Sequence, residues 1–495
     1  MSQLKKGVLL SYVNIFLTNA IGLALTPFII GSLGNSEYGL YALIGSLVAY
    51  LSLMDLGLNN TIVRFVAKYR AENDKKAEQQ FLGTIMIIYL FISFVLLCIG
   101  ALLYVNIETI FGKSLLPSQI ADAKIMFLIL LLNIAIAIPG GSFLAICTAY
   151  QQYVFPKILT IIRYLLRTVT VFAVLNLGGK SISLVIIDSV FTLGIILITF
   201  YYCIKKLGVR FSFKEKSKGV YKEIFSYSVW IFITVLIMSF QWNAGQLILG
   251  MHMNTIMVAI FSVGLMLGGY FGAFAGVINT MLLPKVAQMI ADHQDSKEIS
   301  NSMIAVGRLN ACVSLFILSA FISLGQEFIN LWVGSSYKDS WLIAVLIMLA
   351  TIIPMTQSFG ISVLEVKNKV KYKALATLFS MSIAIGFSYF LGKEYGIFGV
   401  LLPIVIGMFV NTIINNILFV KFFDFNIIKF YKKTFMFQTL YTLVILAVFV
   451  FLKKYLVIDT WFKFVFSAII YSVLFLSFYI MLLFNKEEKR LLWRQ

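Results

Sequence analysis

Charge is the scarcest ingredient of this chain. Only 12% of its 495 residues are Asp, Glu, Lys or Arg, against a soluble-protein norm of roughly 25%. A soluble domain that is 60% hydrophobic would lack the polar surface to cover its exterior, which excludes a soluble enzyme and a disordered chain. Acids are the scarcer sign, 21 against 40 Lys and Arg, for a formal net charge of +19. Cysteine is nearly absent. Cys98, Cys147, Cys203 and Cys312 all lie in apolar stretches without paired spacing, so they read as small hydrophobes, not as disulfides or metal ligands. His252 and His293 are isolated, which leaves no metal-ligand spacing. Asp292, His293 and Asp295 read as a solvated loop cluster. No phosphate-binding Gly-rich loop or nucleophile elbow is present, so the machinery of ATP hydrolysis is missing.

What the chain has instead is long apolar blocks, with a mean hydropathy of +0.94. A membrane helix takes roughly 20 apolar residues. A β-barrel would alternate in segments of about 10 residues, whereas these blocks are continuous. The expected fold is an all-α integral membrane protein of about 14 spans: 8–30, 39–58, 81–104, 124–148, 158–176, 182–204, 224–250, 257–281, 303–325, 340–364, 373–391, 398–420, 435–452 and 462–484. The first apolar run, after MSQLKKG, is too long for a signal-peptide core and lacks a small-x-small cleavage site, so it is expected to be retained. The longest loop on the outer side, 105–123, has room for a turn and an amphipathic stretch only.

Charge placement supports this division. With the N-terminus inside, the inner segments hold 30 Lys and Arg and the outer ones 8. The positive-inside rule then puts both termini in the cytoplasm. It also explains the basic balance as attraction to an anionic leaflet, not as a nucleic-acid surface.

The sequence matches itself at an offset near 219. Gly31 pairs with Gly250, and GLNNT (57–61) with GVINT (276–280). Later, Pro139, Ser142 and Phe143 pair with Pro354, Ser358 and Phe359 at an offset near 216. The offset spans six helices, an even number, so both copies share one orientation. The expectation is two parallel six-helix lobes around a central cavity, 1–210 and 211–424, followed by two further helices and a tail in 425–495.

Three stretches carry a family resemblance. LGNSEYGLYAL (33–43) and LMDLGLNNTIVRFVAKY (53–69) resemble the N-terminal signature of Wzx-like polysaccharide-biosynthesis flippases. These belong to the multidrug/oligosaccharidyl-lipid/polysaccharide exporter superfamily. A third stretch, ILGMHMNTIMVAIFSVGLML (248–267), is similar to that family's seventh-to-eighth helix turn, with Ala-Ile-Phe-Ser where Gly-Ile-Tyr-Ser is more usual. The resemblance implies an alternating-access transporter, not an enzyme. It would move undecaprenyl-pyrophosphate-linked repeat units across the bacterial cytoplasmic membrane for O-antigen, lipopolysaccharide, capsule or related glycans. It implies no cofactor, a proton or sodium gradient as the coupling source, and contact with a glycan polymerase and a chain-length regulator. The competing readings are a drug or cation exporter on the same scaffold, a membrane-embedded polymerase or glycosyltransferase, and a purely structural membrane protein. An exporter of cations would favour an acidic cavity, and an enzyme would need a sizeable loop of acid, base or metal-binding groups.

The candidate site residues are few. Arg163 and Arg167 share a helix face. They either meet a lipid pyrophosphate through their guanidinium forks or snorkel to the headgroups. Asn14 and Asn19, with Gln241, Asn243 and Gln246, offer amides to sugar hydroxyls or to neighbouring helices. Asp55 and Arg64 bracket the inner end of the second span, as a gate pair or as a helix-end contact. Asp188 either exchanges an ion or pairs with Arg167. Gly264, Gly268, Gly269, Gly272 and Gly276 form a small-residue stripe, for packing or for lobe closure.

Overall fold

The computed structural model describes residues 3–213, 220–276, 282–292, 295–367 and 369–482. Among these there is helix and no strand. The helices are α1 (Gln3–Ser52), α2 (Leu58–Ala71), α3 (Lys75–Phe111), α4 (Pro117–Ala149), α5 (Val154–Asn176), α6 (Ser181–Lys205), α7 (Val220–His252), α8 (Thr255–Ala275), α9 (Leu282–Ala291), α10 (Ser296–Trp332), α11 (Ser340–Thr356), α12 (Ser358–Val366), α13 (Val370–Phe423), α14 (Ile427–Tyr431), α15 (Phe437–Lys453) and α16 (Trp461–Leu482).

Nine helices among the described residues are long and apolar enough to cross a membrane, or ten if the pair α11 and α12, bent by 51°, is one span. The protein is therefore a multi-pass membrane protein. The expected figure of about 14 differs from this partly because expected pairs run together. Spans 8–30 and 39–58 both lie in α1, broken at Gly34 (φ 79°, ψ 165°). Spans 373–391 and 398–420 both lie in α13, broken at Gly396 (φ 59°, ψ −134°). Positive φ is strained for any L side chain, so glycine permits a turn here without a loop.

Two expected loops are partly helical. The inner segment 59–80 contains α2, whose buried face is Leu58, Ile62, Phe65 and Val66. The inner segment 282–302 contains α9. The amphipathic period is present in both, but hydropathy averaged over a span-length window hides it. The outer loop at 105–123 is shorter than expected, because α3 runs to Phe111 and α4 starts at Pro117. The second GLNNT-like match, at 276–280, and the tail beyond 482 lie outside the described residues, apart from Gly276.

Contacts divide the chain into two compact units. Unit 1 comprises Met1–Ala259 with Ile385–Val400, and unit 2 comprises Ile260–Ala384 with Leu401–Gln495. In unit 1, α1 packs against α4, α5 and α7, and α4 packs between α3 and α6. In unit 2, α10 is the hub, touching α11, α12, α15 and α16. The C-terminal pair is fixed there by an aromatic cluster of Phe449, Tyr471, Phe475 and Tyr479. Lys453 adds an ion pair with Glu327 of α10 at 2.7 Å. These contact units divide the chain at other points than the repeat does, because α7 packs on α1.

Candidate functional site

The first signature stretch, 33–43, builds the Gly34 end of α1. After the Gly34 break, Ser36 and Thr255 bring their hydroxyls to 3.0 Å. The Gln119 amide donates to Ser36 Oγ at 2.7 Å and lies 3.4 Å from Thr255 Oγ1. Glu37 accepts from the Ser181 backbone N–H at 3.1 Å, capping the start of α6. Gly39 lies flush on the Thr255 carbonyl, where any Cβ would collide with backbone. Gly250 receives the Leu43 side chain, and its carbonyl accepts from the Ser114 hydroxyl. Gly39 is thus a place where two backbones meet, and Gly250 one where a backbone meets a side chain.

One turn further along, α1 contributes to a charged triad. The Arg167 guanidinium of α5 engages both Asp188 oxygens of α6 through Nε and Nη2, the latter at 3.1 Å. Tyr41 of α1 donates its hydroxyl to the same carboxylate at 3.1 Å. The side chains of Arg167 and Asp188 are only 18% and 24% exposed. Of the two sequence readings of Asp188, the structure has the one that pairs it with Arg167. A fork of this kind satisfies both desolvated charges and ties three helices.

Arg163 is in a different position. It is half-buried on α5, and its guanidinium carbon lies 5.9 Å from the Tyr164 ring centre. Its buried Nε has no hydrogen-bond partner among the described residues. A buried donor without an acceptor costs about 1–3 kcal/mol.

The second signature stretch, 53–69, forms the other end of this segment. Helix α1 stops at Ser52. A tight turn follows, with Leu56 (φ 51°) and Gly57 (φ 69°) left-handed, before α2 begins. Asp55 accepts from the Asn59 amide at 3.1 Å, and Asn59 accepts from the Tyr89 hydroxyl of α3 at 3.2 Å. Gly141 of α4 leaves room for Asn59. Asp55 is thus bonded to Asn59. Arg64 is exposed, with its guanidinium 5.8 Å from the Phe65 ring.

The amide candidates bond mostly within their own helices. Asn14 accepts from Thr18, Asn19 donates to the Ile15 carbonyl at 2.8 Å, and Asn243 donates to Ser239 at 3.0 Å. Gln241 and Gln246 are half-buried on α7. In unit 2, Ile343 rests on Gly264 and Ile347 on Gly268 of the α8 glycine stripe.

Sequence reasoning missed Tyr41, Asn59, Tyr89, Gln119 and Thr255, and also the buried amides of unit 2. There Asn310 donates to the Met355 carbonyl at 3.0 Å, and Gln357 donates to Asn416 at 2.6 Å. Cys147 and Cys203, read as isolated hydrophobes, stand 3.7 Å apart in the core. Among the described residues no cluster of His, Cys, Asp and Glu could hold a metal.

The helical architecture resembles those of solved membrane transporters. It resembles a lipid II flippase MurJ in an inward closed conformation with a TM-score of 0.68 at 17% identity, covering 96% of this chain and all of that one. It also resembles an inward-facing multidrug resistance MATE transporter with a TM-score of 0.65 at 14% identity, covering 82% and 93%. At such identities the likeness is one of fold.

The chain belongs to the polysaccharide biosynthesis protein family, whose model matches residues 4–290. Two relatives are similar along most of their length. The uncharacterized membrane protein EpsK of Bacillus subtilis is 23% identical over 491 residues, 95% of this chain and 94% of the relative. A protein of Shigella flexneri, provisionally named an O-antigen transporter, is 20% identical over 383 residues, 75% and 87%.

Proposed function

We propose that this chain is a flippase for undecaprenyl-pyrophosphate-linked oligosaccharide repeat units. It acts in the bacterial cytoplasmic membrane, by alternating access of two lobes, and both termini face the cytoplasm. The repeat units feed O-antigen, capsule or a related surface polysaccharide. The observation that carries this reading is the family match over residues 4–290. The lipid II flippase and the O-antigen transporter name among its relatives add support. The likeness to drug exporters extends to the fold alone.

The reading separates the two arginines and moves the phosphate contact to Arg163 from Arg167, which the sequence places deeper in its span and further from snorkelling reach. Arg167 is spent on Asp188, so it positions helices. Arg163 keeps an unpartnered Nε and is the residue that meets the pyrophosphate, the part of the substrate that does not vary with the sugar. Asp55, at the turn between α1 and α2, is the carboxylate for coupling to protons or sodium. The amides Asn14, Asn19, Gln241, Asn243 and Gln246 serve as sugar contacts. The protein works as a transporter, without a catalytic residue or a cofactor, beside a glycan polymerase and a chain-length regulator.

Deletion tests this. Lipid-linked repeat units should accumulate on the inner leaflet while surface glycan is lost. Normal appearance of those units on the outer leaflet in the deletion strain would overturn the reading.

A further inference from the structure

At the basic end of unit 1 lies a cavity of about 430 Å³ that shares no residue with the arginines of α5. Its walls come from four places: Tyr69 and Arg70 at the end of α2, Lys75 and Glu78 at the start of α3, Tyr150 at the turn after α4, and Arg210 in the segment after α6. The volume lies in the usual range for small-ligand pockets, roughly 300–1,000 Å³.

Three cations and one acid line it, and the acid is already engaged. Glu78 is buried and accepts from the Tyr150 hydroxyl at 2.6 Å. The Arg70 guanidinium carbon lies 3.7 Å from the centre of the Tyr150 ring, and its Nη1 reaches the Ala149 carbonyl at 3.4 Å. A guanidinium carries five N–H donors, so others remain for a ligand. The side chains of Lys75 and Arg210 have no hydrogen-bond or ion-pair partner among the described residues. Lys75 is also the first residue of α3, where a cation opposes the positive end of the helix dipole. An anion in the cavity would relieve that opposition.

The walls are held in place. The segment after α6 is tied to α3 by the Ser212 N–H donating to the Gln79 carbonyl at 3.0 Å. The Ser212 carbonyl rests against Gly83, where any side chain would push it away. A cavity with three cations, fixed backbone walls, aromatic faces and one acid already hydrogen-bonded to Tyr150 fits a phosphate-bearing anion.

We propose that this pocket binds a phosphate or pyrophosphate group, clamping the ends of α2, α3 and α6 together. The group belongs either to a soluble metabolite or to an anionic lipid headgroup, and the chemistry of recognition is the same. The proposal does not depend on the flippase reading.

The test uses the purified full chain and two probes. Inorganic pyrophosphate is titrated calorimetrically in neutral detergent. Phosphatidylglycerol retention is measured by native mass spectrometry from mixed phosphatidylcholine nanodiscs. The double variant Lys75→Ala/Arg210→Ala changes exposed side chains only, and Lys68→Ala on the outer face of α2 is the control. Wild type should bind at least one probe saturably. The double variant should lose about ten-fold or more in affinity, as expected for charge-assisted bonds to phosphate. Pyrophosphate binding that the double variant loses identifies a soluble ligand, and selective phosphatidylglycerol loss identifies a lipid headgroup. Both outcomes support the pocket. If neither probe binds wild type saturably, or if the double variant binds both as wild type does at matched thermal stability, the proposal is wrong.

Discussion

The hydroxyl oxygens of Ser36 and Thr255 stand 3.0 Å apart, and the two residues are 219 positions apart in the chain. Gly31 and Gly250 are paired in the internal repeat at the same offset. Equivalent positions of two copies related by a twofold axis touch only on that axis. The parallel-repeat proposal therefore puts this contact, with Gln119 donating to Ser36 beside it, where the lobes must part for access from that side. Ser36→Cys/Thr255→Cys should form a disulfide under mild oxidation and arrest glycan export, with recovery on reduction. Undiminished export by the fully cross-linked protein would show that this contact never opens.

Gly39 and Gly45 make a controlled comparison on the same helix. A Cβ on Gly39 would collide with the Thr255 backbone, whereas a Cβ on Gly45 would meet nothing within 4 Å. Gly39→Ala should destabilise by about 1–3 kcal/mol through overpacking and lower the melting temperature in detergent. Gly45→Ala should leave it unchanged. Equal melting temperatures for the two variants would mean that α1 and the start of α8 are not in this contact.

Arg167 and Asp188 should behave as one unit. Removing one partner of a fully buried pair costs about 3–5 kcal/mol, and the cost here is smaller because the side chains are 18% and 24% exposed. Arg167→Ala and Asp188→Ala should each lower stability, and the double variant should fall well short of their sum. Additive losses in a double-mutant cycle of thermal unfolding would deny the pairing.

Arg163 gives the opposite pattern. Arg163→Ala should insert and fold at wild-type levels, since no partner among the described residues is orphaned, yet export should fall strongly. Arg163→Lys should restore part of it, a point charge replacing a planar fork. Export at matched protein levels is the measurement, and near-normal export by Arg163→Ala would remove Arg163 from the substrate path.

Much of this molecule is legible in its sequence because membrane helices announce themselves by length and hydropathy. The membrane class, the places of most helices and the two signature turns follow from that signal. The helix breaks at Gly34 and Gly396 are legible too, because Asn35, Ser36 and Glu37 in one place and Lys393 and Glu394 in the other interrupt the apolar record between expected spans. Helix α2 is hidden, since its half-polar pattern reads as loop when averaged. At the site, Arg167 and Asp188 stood out because charge is rare in a span. Tyr41, Asn59 and Gln119 did not, because tyrosines and amides are common in membrane helices and only their placement across helices selects them. The contact between Cys147 and Cys203 likewise depends on how α4 meets α6.

The central claim is lipid-linked oligosaccharide translocation, and reconstitution addresses it most directly. Purified protein in proteoliposomes, loaded with the host's undecaprenyl-pyrophosphate repeat unit, should make the inner-leaflet pool accessible to an external glycan-modifying enzyme. Arg163→Ala should slow this several-fold, and undecaprenyl phosphate without sugar should not compete. Accessibility rising no faster than in protein-free liposomes, with protein inserted and folded, would contradict the account.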